Sequence, residues 1–382
     1  MRCAVGMSTS PDPRAAAEEA ARTAAERLEA PATLAVLVVS HHHARRAERV
    51  VDAVHQAASP ESLVGCATEA VVAGRREVDE EPAVAVWLAE LPRSAETYHM
   101  EYVRTSAGDV LGGYQFDPRG SDTHLLVPDP YSFPASVLLA HLNQHAPGTP
   151  VLGGFASGRA RTTLFRDTKV LTSGAVGVRL PGVAVRPVVS QGCRPVGDPY
   201  TVTGAQDGVI TELAGRPPLR LLESLVSGLS PHEQQLISTG VHLGIALDEY
   251  KTELGRGDFL VRSVVAADEE AGSVQIGEPV EVGTTVQFHV RDAATADEDL
   301  RASLTAALED GRPAGALLFT CNGRGRNMFG EPDHDASLAG ELLGDVPLAG
   351  FFAAGELGPV GGRNFVHAFT ASLALFDEQP DG

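Results

Sequence analysis

Hydrophobic positions along the chain fall into short continuous runs that alternate with stretches of helical period. Leu34 to Val39 is apolar throughout and rich in β-branched residues, which predicts a strand covered on both faces. Arg45 to Ala58 places Val50, Val51 and Val54 on one side and predicts an amphipathic helix, and Leu63 to Cys66 predicts the next strand. The same order recurs twice. Thr123 to Asp129, Pro134 to His145 (Val137, Leu138 and Leu142 inward) and Val151 to Phe155 form a second set. Ala316 to Thr320, residues 335–343 (Leu338, Leu342, Leu343) and Val346 to Phe352 form a third. The three strand–loop–helix–strand units close on LVGCAT, VLGGFAS and LAGFFAA, a loose internal repeat.

Segments of other character surround them. Cys3 to Ser8 predicts a first strand, and Ser10-Pro11-Asp12-Pro13 predicts the cap of an Ala-rich helix over Arg14 to Glu29, with Glu18 and Glu19 in its early turns. Glu69 to Gly74, Ala83 to Glu90 and Tyr98 to Val103 predict short strands. Pro181-Gly182 predicts a hairpin joining Gly174–Leu180 to Ala184–Val189, and Gln206-Asp207-Gly208 predicts another. After Pro217-Pro218 come helices over 219–229 and Pro231 to Ser238. Strands follow at 241–247, Phe259 to Val265, Ser273 to Ile276 and Thr285 to Val290, then a helix from Asp297 to Glu309 capped by Thr295. The fold class is therefore α/β with mixed parallel and antiparallel sheets, and the chain is expected to form two related domains, 1–216 and 217–382.

With 382 residues, 43% of them apolar, the chain can bury a large core. No apolar run is long enough to span a membrane, and MRCAVGMSTSPDP lacks the pattern of a signal peptide, so a cytoplasmic protein is expected. The net charge of −20 opposes nucleic-acid binding, and Arg159, Arg161 and Arg166 are too sparse a basic group to offset it. Cys3, Cys66, Cys193 and Cys321 lie far apart with no Cys-x-x-Cys, which argues against structural zinc and a disulfide framework. His41-His42-His43 alternate faces if extended, so at most His41 and His43 could share a ligand, and no metal or cofactor is expected.

Candidate chemistry gathers late in the chain. The strand ending at Thr320 empties into Cys321-Asn322-Gly323-Arg324-Gly325-Arg326, and the next ends at Gly350-Phe351-Phe352 with Gly355-Glu356 beyond. Guanidiniums beside flexible backbone N–H groups suit a carboxylate or phosphate, Glu356 suits an ammonium group or a salt bridge to Arg363, and the phenylalanines suit an apolar wall. Gly65 with Cys66, and Gly153-Gly154 with Ser157, occupy the corresponding ends of the other units. Cys321 near arginines, with His367 as base, would instead suit a thiol enzyme, with Cys66 the weaker candidate. GRGRNMFG lacks the spacing of a dinucleotide fingerprint.

CNGRG, LAGFFAAGELGP and the ending His367, Phe369, Thr370, preceded by LAVLVVS, LVGCAT, VLGGFASG and SQGCRPVG, resemble FIST domains in that family's order over nearly the whole chain. The resemblance implies a sensory, signal-transducing protein that binds a small ligand such as an amino acid, without catalytic activity. The eukaryotic relatives that recruit proteins through this region leave a protein-interaction module as the alternative. The chain shows no kinase, methyl-accepting, cyclase or F-box segment. A signal would therefore pass to a separate protein partner or through a homo-oligomer.

Overall fold

The computed structural model describes residues 1–378 other than 107, 160 and 252. The chain divides into two compact units. The larger comprises Met1–Val189, Leu300–Val366 and Thr370–Gly382, and the smaller Ser190–Asp299 with His367–Phe369. Mixed α/β structure is observed throughout.

All three predicted units form, and all three lie in the larger body. In each, the two repeat strands pair in parallel: Leu34–Ser40 with Ser62–Thr68, Thr123–Pro128 with Val151–Gly154, and Pro313–Cys321 with Leu348–Ala353. Each pair seeds its own sheet, flanked on the side of the first strand by an antiparallel strand (Val84–Glu90, Ala175–Leu180 and Thr370–Asp377). On the other side the strands are exchanged. The short hairpin that follows each unit joins the sheet of another unit. Val71–Ala73 and Arg76–Val78, after the first unit, extend the third sheet. Leu164–Arg166 and Lys169–Leu171, after the second, extend the first. Glu356–Val360 and Arg363–His367, after the third, extend the second.

One face of every sheet enters a common apolar core, built from Val36, Val64 and Trp87 of the first, Leu125, Leu152 and Val176 of the second, and Leu317, Phe351 and Phe376 of the third. The outer faces carry the helices. Pro13–Leu28 and Ala47–Ala58 cover the first sheet, Ala135–His145 the second, and His334–Leu343 with Leu300 and Leu304 the third. Repeat strands buried on both faces explain the unbroken apolar runs of the sequence. Pro13 starts its helix with Asp12 accepting the Ala15 N–H at 2.8 Å, and a stripe of alanines lets Gly6 of the first strand approach the Ala20 carbonyl.

The smaller unit is a closed barrel in the order Cys193–Gln206, Val209–Leu213, Ser273–Ile276, Phe259–Asp268, Val241–Ala246 and Thr285–Arg291. Helices Pro218–Gly228 and Pro231–Ser238 accompany it, the second started by a Ser230–Glu233 capping box. The repeat is thus threefold within one body, and the barrel is built on a different plan. Three local expectations are corrected. Val137, expected to face inward, is exposed, while Leu138 and Leu142 are buried. Ala175–Leu180 and Val185–Gln191 do not form a hairpin: Pro181-Gly182 turns the chain from the second sheet into the third. The helix expected from Asp297 begins at Ala293, and Asp292, not Thr295, accepts its first N–H groups. Among the described residues no helix is long and apolar enough to cross a membrane.

Candidate functional site

Where the strand Pro313–Cys321 ends, the chain doubles back at once. The Arg324 N–H donates to the Cys321 carbonyl at 2.8 Å, and the Gly323 N–H points at the Cys321 sulfur at 3.5 Å. Gly325 holds φ at +57°, and a Cβ there would stand 2.7 Å from the Phe352 ring, so only glycine fits. This turn drives the Arg324 side chain inward until the residue is 1% exposed.

Arg324 meets Asp335 in a two-point ion pair, Nε to Oδ2 at 2.6 Å and Nη2 to Oδ1 at 2.7 Å. The Thr320 hydroxyl donates to the same carboxylate at 2.6 Å, and His334 Nδ1 lies 3.1 Å from it. The guanidinium also faces the Phe329 ring at 5.3 Å, and that ring stacks on His334. Burial pushes Asp335 upward, but the Arg324 charge and the bonds from Arg324, His334 and Thr320 outweigh it and hold the acid well below the usual carboxylate range. Asp335 opens the helix His334–Leu343, where backbone N–H groups favour an anion.

Beside this pair sits Glu356, fully buried. Its Oε2 accepts the Thr370 hydroxyl at 2.6 Å and the Thr370 N–H at 3.2 Å. Burial raises its pKa to about 8, against the bonds from Thr370, the charge of Arg324 and the influence of the neighbouring Cys321 thiol. Among the described residues, Glu356 Oε1 and Arg324 Nη1 are buried and have no hydrogen-bond partner, as has Asn322 Oδ1. A carboxyl oxygen and a guanidinium N–H are therefore left unsatisfied in one buried cluster.

The residues singled out from the sequence separate into three groups. Cys321, Asn322, Gly323, Arg324 and Glu356 gather here, with Gly355 adjoining and Gly153-Gly154 pairing directly with Leu357 and Glu356. A Cβ on Gly154 would lie 2.7 Å from that of Ala353, so this glycine lets the second unit's strand close on the third. Gly65, Gly350, Cys66 and Phe351 serve the interior. Cys66 and Phe351 are buried in the common core, where Phe351 packs edge-on against Phe319 rather than lining an opening. Ser157 sits where the three units meet, accepting the Glu69 N–H at 3.0 Å and bonded to Thr68 and to the Phe352 carbonyl. Arg326 turns away from Arg324 to Asp79, 3.4 Å distant, and edges a small cleft of about 260 Å³ lined by Glu77, Asp79, Glu80, Glu81 and Asp333. His367 closes a strand at the edge of the second sheet.

Sequence reasoning missed Asp335, Thr320 and Thr370, which fix the cluster, and Glu77, whose carboxylate accepts the Ala336 N–H at 2.9 Å. Burial, then the Asp335 charge, raises Glu77 to about 7.

A three-unit α/β body with exchanged edge strands carries a buried ion pair at a strand end, and such a fold does not by itself define a function. The chain belongs to the FIST family: the FIST N domain matches residues 33–216 and the FIST C domain residues 218–359. The junction between those matches falls inside the barrel unit. An uncharacterized protein of Mycobacterium tuberculosis is 56% identical over 383 residues, covering 98% of this chain and all of the relative. An uncharacterized protein of Mycobacterium bovis is 57% identical over 98% of this chain and 99% of its own length.

Proposed function

We propose that this protein is a sensor of a small zwitterionic metabolite of the amino-acid class, held between Arg324 and Glu356, and that it relays occupancy without chemistry of its own. The carrying observation is the pair of unsatisfied buried atoms, Arg324 Nη1 and Glu356 Oε1. An unsatisfied buried polar group costs ~1–3 kcal/mol, more when charged. A carboxylate would satisfy the guanidinium and an ammonium group the glutamate once it gives up its proton, whereas a molecule with one polar end would satisfy at most one. Asp335 supports the assignment by holding Arg324 in place from the far side while leaving Nη1 open.

The test is a thermal-shift and calorimetric screen of the full chain against amino acids and their singly charged analogues. A cognate ligand at a hundredfold over its Kd stabilises by ~2.7 kcal/mol. Glu356→Gln should abolish the response to the zwitterion, and calorimetry in buffers of different ionisation heat should show proton release from Glu356 as the ammonium binds. Arg324→Ala is a poor probe, because it strands Asp335 as a buried lone charge and destabilises by ~3–5 kcal/mol. An intact response in Glu356→Gln would remove the site. Silence across the whole panel would leave the interaction module as the better reading.

A further inference from the structure

A second recess of the larger unit lies at the end of another repeat strand and is untouched by the reading above. His41 follows the strand Leu34–Ser40 directly. Ser40 pairs with Thr68 three residues past Gly65, as Cys321 pairs with Ala353 three residues past Gly350, so His41 occupies in the first unit the place of Asn322 in the third. Here the structure opens a cleft of about 670 Å³. Carboxyl ends of parallel strands are where open α/β sheets take ligands.

The lining is basic in a chain whose net charge is −20. Arg45 comes from the short turn Ala44–Arg46, while Arg159 and Arg161 come from the segment leading into the exchanged hairpin at Leu164. Glu48 is the one carboxylate among the described lining residues, and with Glu69 bound to Arg159 the three guanidiniums and two carboxylates leave one net positive charge. Arg159 is engaged by Glu69 at 2.8 Å. Among the described residues neither Arg45 nor Arg161 has a side-chain hydrogen bond or ion pair, and both are exposed to the cleft. The Thr163 and Thr172 hydroxyls and the buried, unpartnered His41 Nδ1 add neutral polar groups.

We infer that this cleft is a binding site for a small phosphate-bearing anion, with Arg45 and Arg161 as the principal contacts. Guanidiniums presented from separate segments suit a tetrahedral group with acceptors in several directions, and an anion matches the positive sign of the lining. His41 supplies polarity rather than charge, since burial, then His42 and Arg159, lower its pKa while Glu69 opposes them. An isolated cleft of this size suits a metabolite rather than a nucleic-acid backbone, which needs a stripe of charge.

The experiment is calorimetry and thermal shift of the full chain with pyrophosphate at constant low ionic strength, alongside citrate and chloride. Pyrophosphate is expected to bind one-to-one and raise the melting temperature beyond chloride of equal ionic strength. The double variant Arg45→Ala/Arg161→Ala, both at exposed positions and so expected to melt as the parent does without ligand, should bind at least about tenfold more weakly. Glu48→Gln should bind more tightly. Glu356→Gln should bind pyrophosphate as the parent does, which keeps this inference separate from the amino-acid reading. Equal binding by the parent and the double-arginine variant would overturn the assignment, as would no binding to the parent. Citrate binding as tightly as pyrophosphate would overturn its phosphate character.

Discussion

Glu356 and Glu77 are carboxyls that the fold keeps protonated well above the ~4.3 of an unfolded glutamate, at about 8 and about 7. Burial is the largest cause for both. A raised acid binds more protons in the folded state than in the unfolded one between those two values. Its contribution is complete below the unfolded pKa and disappears as pH rises through the folded one. Stability by denaturant titration should therefore decline from pH 5 to pH 9. Glu356→Gln, which retains a carbonyl to accept from Thr370, should reduce that decline by ~2 kcal/mol or more, at ~1.4 kcal/mol per unit of pKa. Superimposable pH profiles of parent and variant would contradict a buried neutral acid at this position. The residues around it were unequally legible. Cys321, Arg324 and Glu356 stand in recognisable runs, but their partners do not. Asp335 did carry a signal, since it shares a helix face with Leu338 and Ala339, three and four residues on, both buried. An acid on an apolar face implies a buried cation. Thr370 stood in the recognisable ending but gave no sign of its partner, because its strand and that of Glu356 belong to different sheets.

At the scale of elements, the repeat has one physical signature: Gly65, Gly153 and Gly350 occupy one register position in three parallel pairs. They pair opposite Leu37, Leu126 and Leu318. A Cβ at each would lie 1.8 Å, 2.0 Å and 1.8 Å from the carbonyl oxygen of that leucine. No side-chain rotation relieves a clash between a Cβ and backbone. Gly350→Ala should accordingly destabilise by roughly 3 kcal/mol or more, in the tail of single-substitution effects, with Gly65→Ala close behind. Gly361→Ala, in a turn with open space around its Cβ position but φ at +57°, should cost only the ~1 kcal/mol of a left-handed alanine. Equal losses at Gly350 and Gly361 in equilibrium unfolding would remove the steric explanation. Local turn chemistry was legible to the same degree as it was local. Gln206-Asp207-Gly208 does make its hairpin, with Gln206 opposite Val209 and positive φ at Asp207 and Gly208. Pro181-Gly182 makes its turn as well, yet the strands on either side choose partners far away in sequence. A turn motif fixes chain direction without fixing what the next strand pairs with. The exchanged hairpins were hidden for the same reason: a three-residue strand such as Val71–Ala73 carries no mark of the sheet it will join.

Within the larger unit, the exchange of hairpins joins three repeat units into one body. None of its three sheets is complete without a neighbour's hairpin, and Thr68, Ser157 and the Phe352 carbonyl tie the three units together. That cohesion acts against a large like-charge load, 50 acidic residues to 30 basic. Many of the ion pairs are exposed, such as Arg22–Glu18 and Arg220–Glu223, and each contributes ~0–1 kcal/mol. Self-repulsion of the excess acids is the larger exposed electrostatic effect, and salt screens it over a Debye length of ~10 Å at 0.1 M. The buried Arg324–Asp335 pair is shielded from that screening. Raising sodium chloride from ~10 mM to ~0.2 M should therefore raise the melting temperature, by roughly 2–4 °C for each kcal/mol of repulsion relieved. Were the exposed ion pairs dominant, the same addition would lower it. Pyrophosphate added at matched ionic strength should give a further rise only where Arg45 and Arg161 are intact, so screening of the whole surface and occupation of one cleft can be read apart in a single titration.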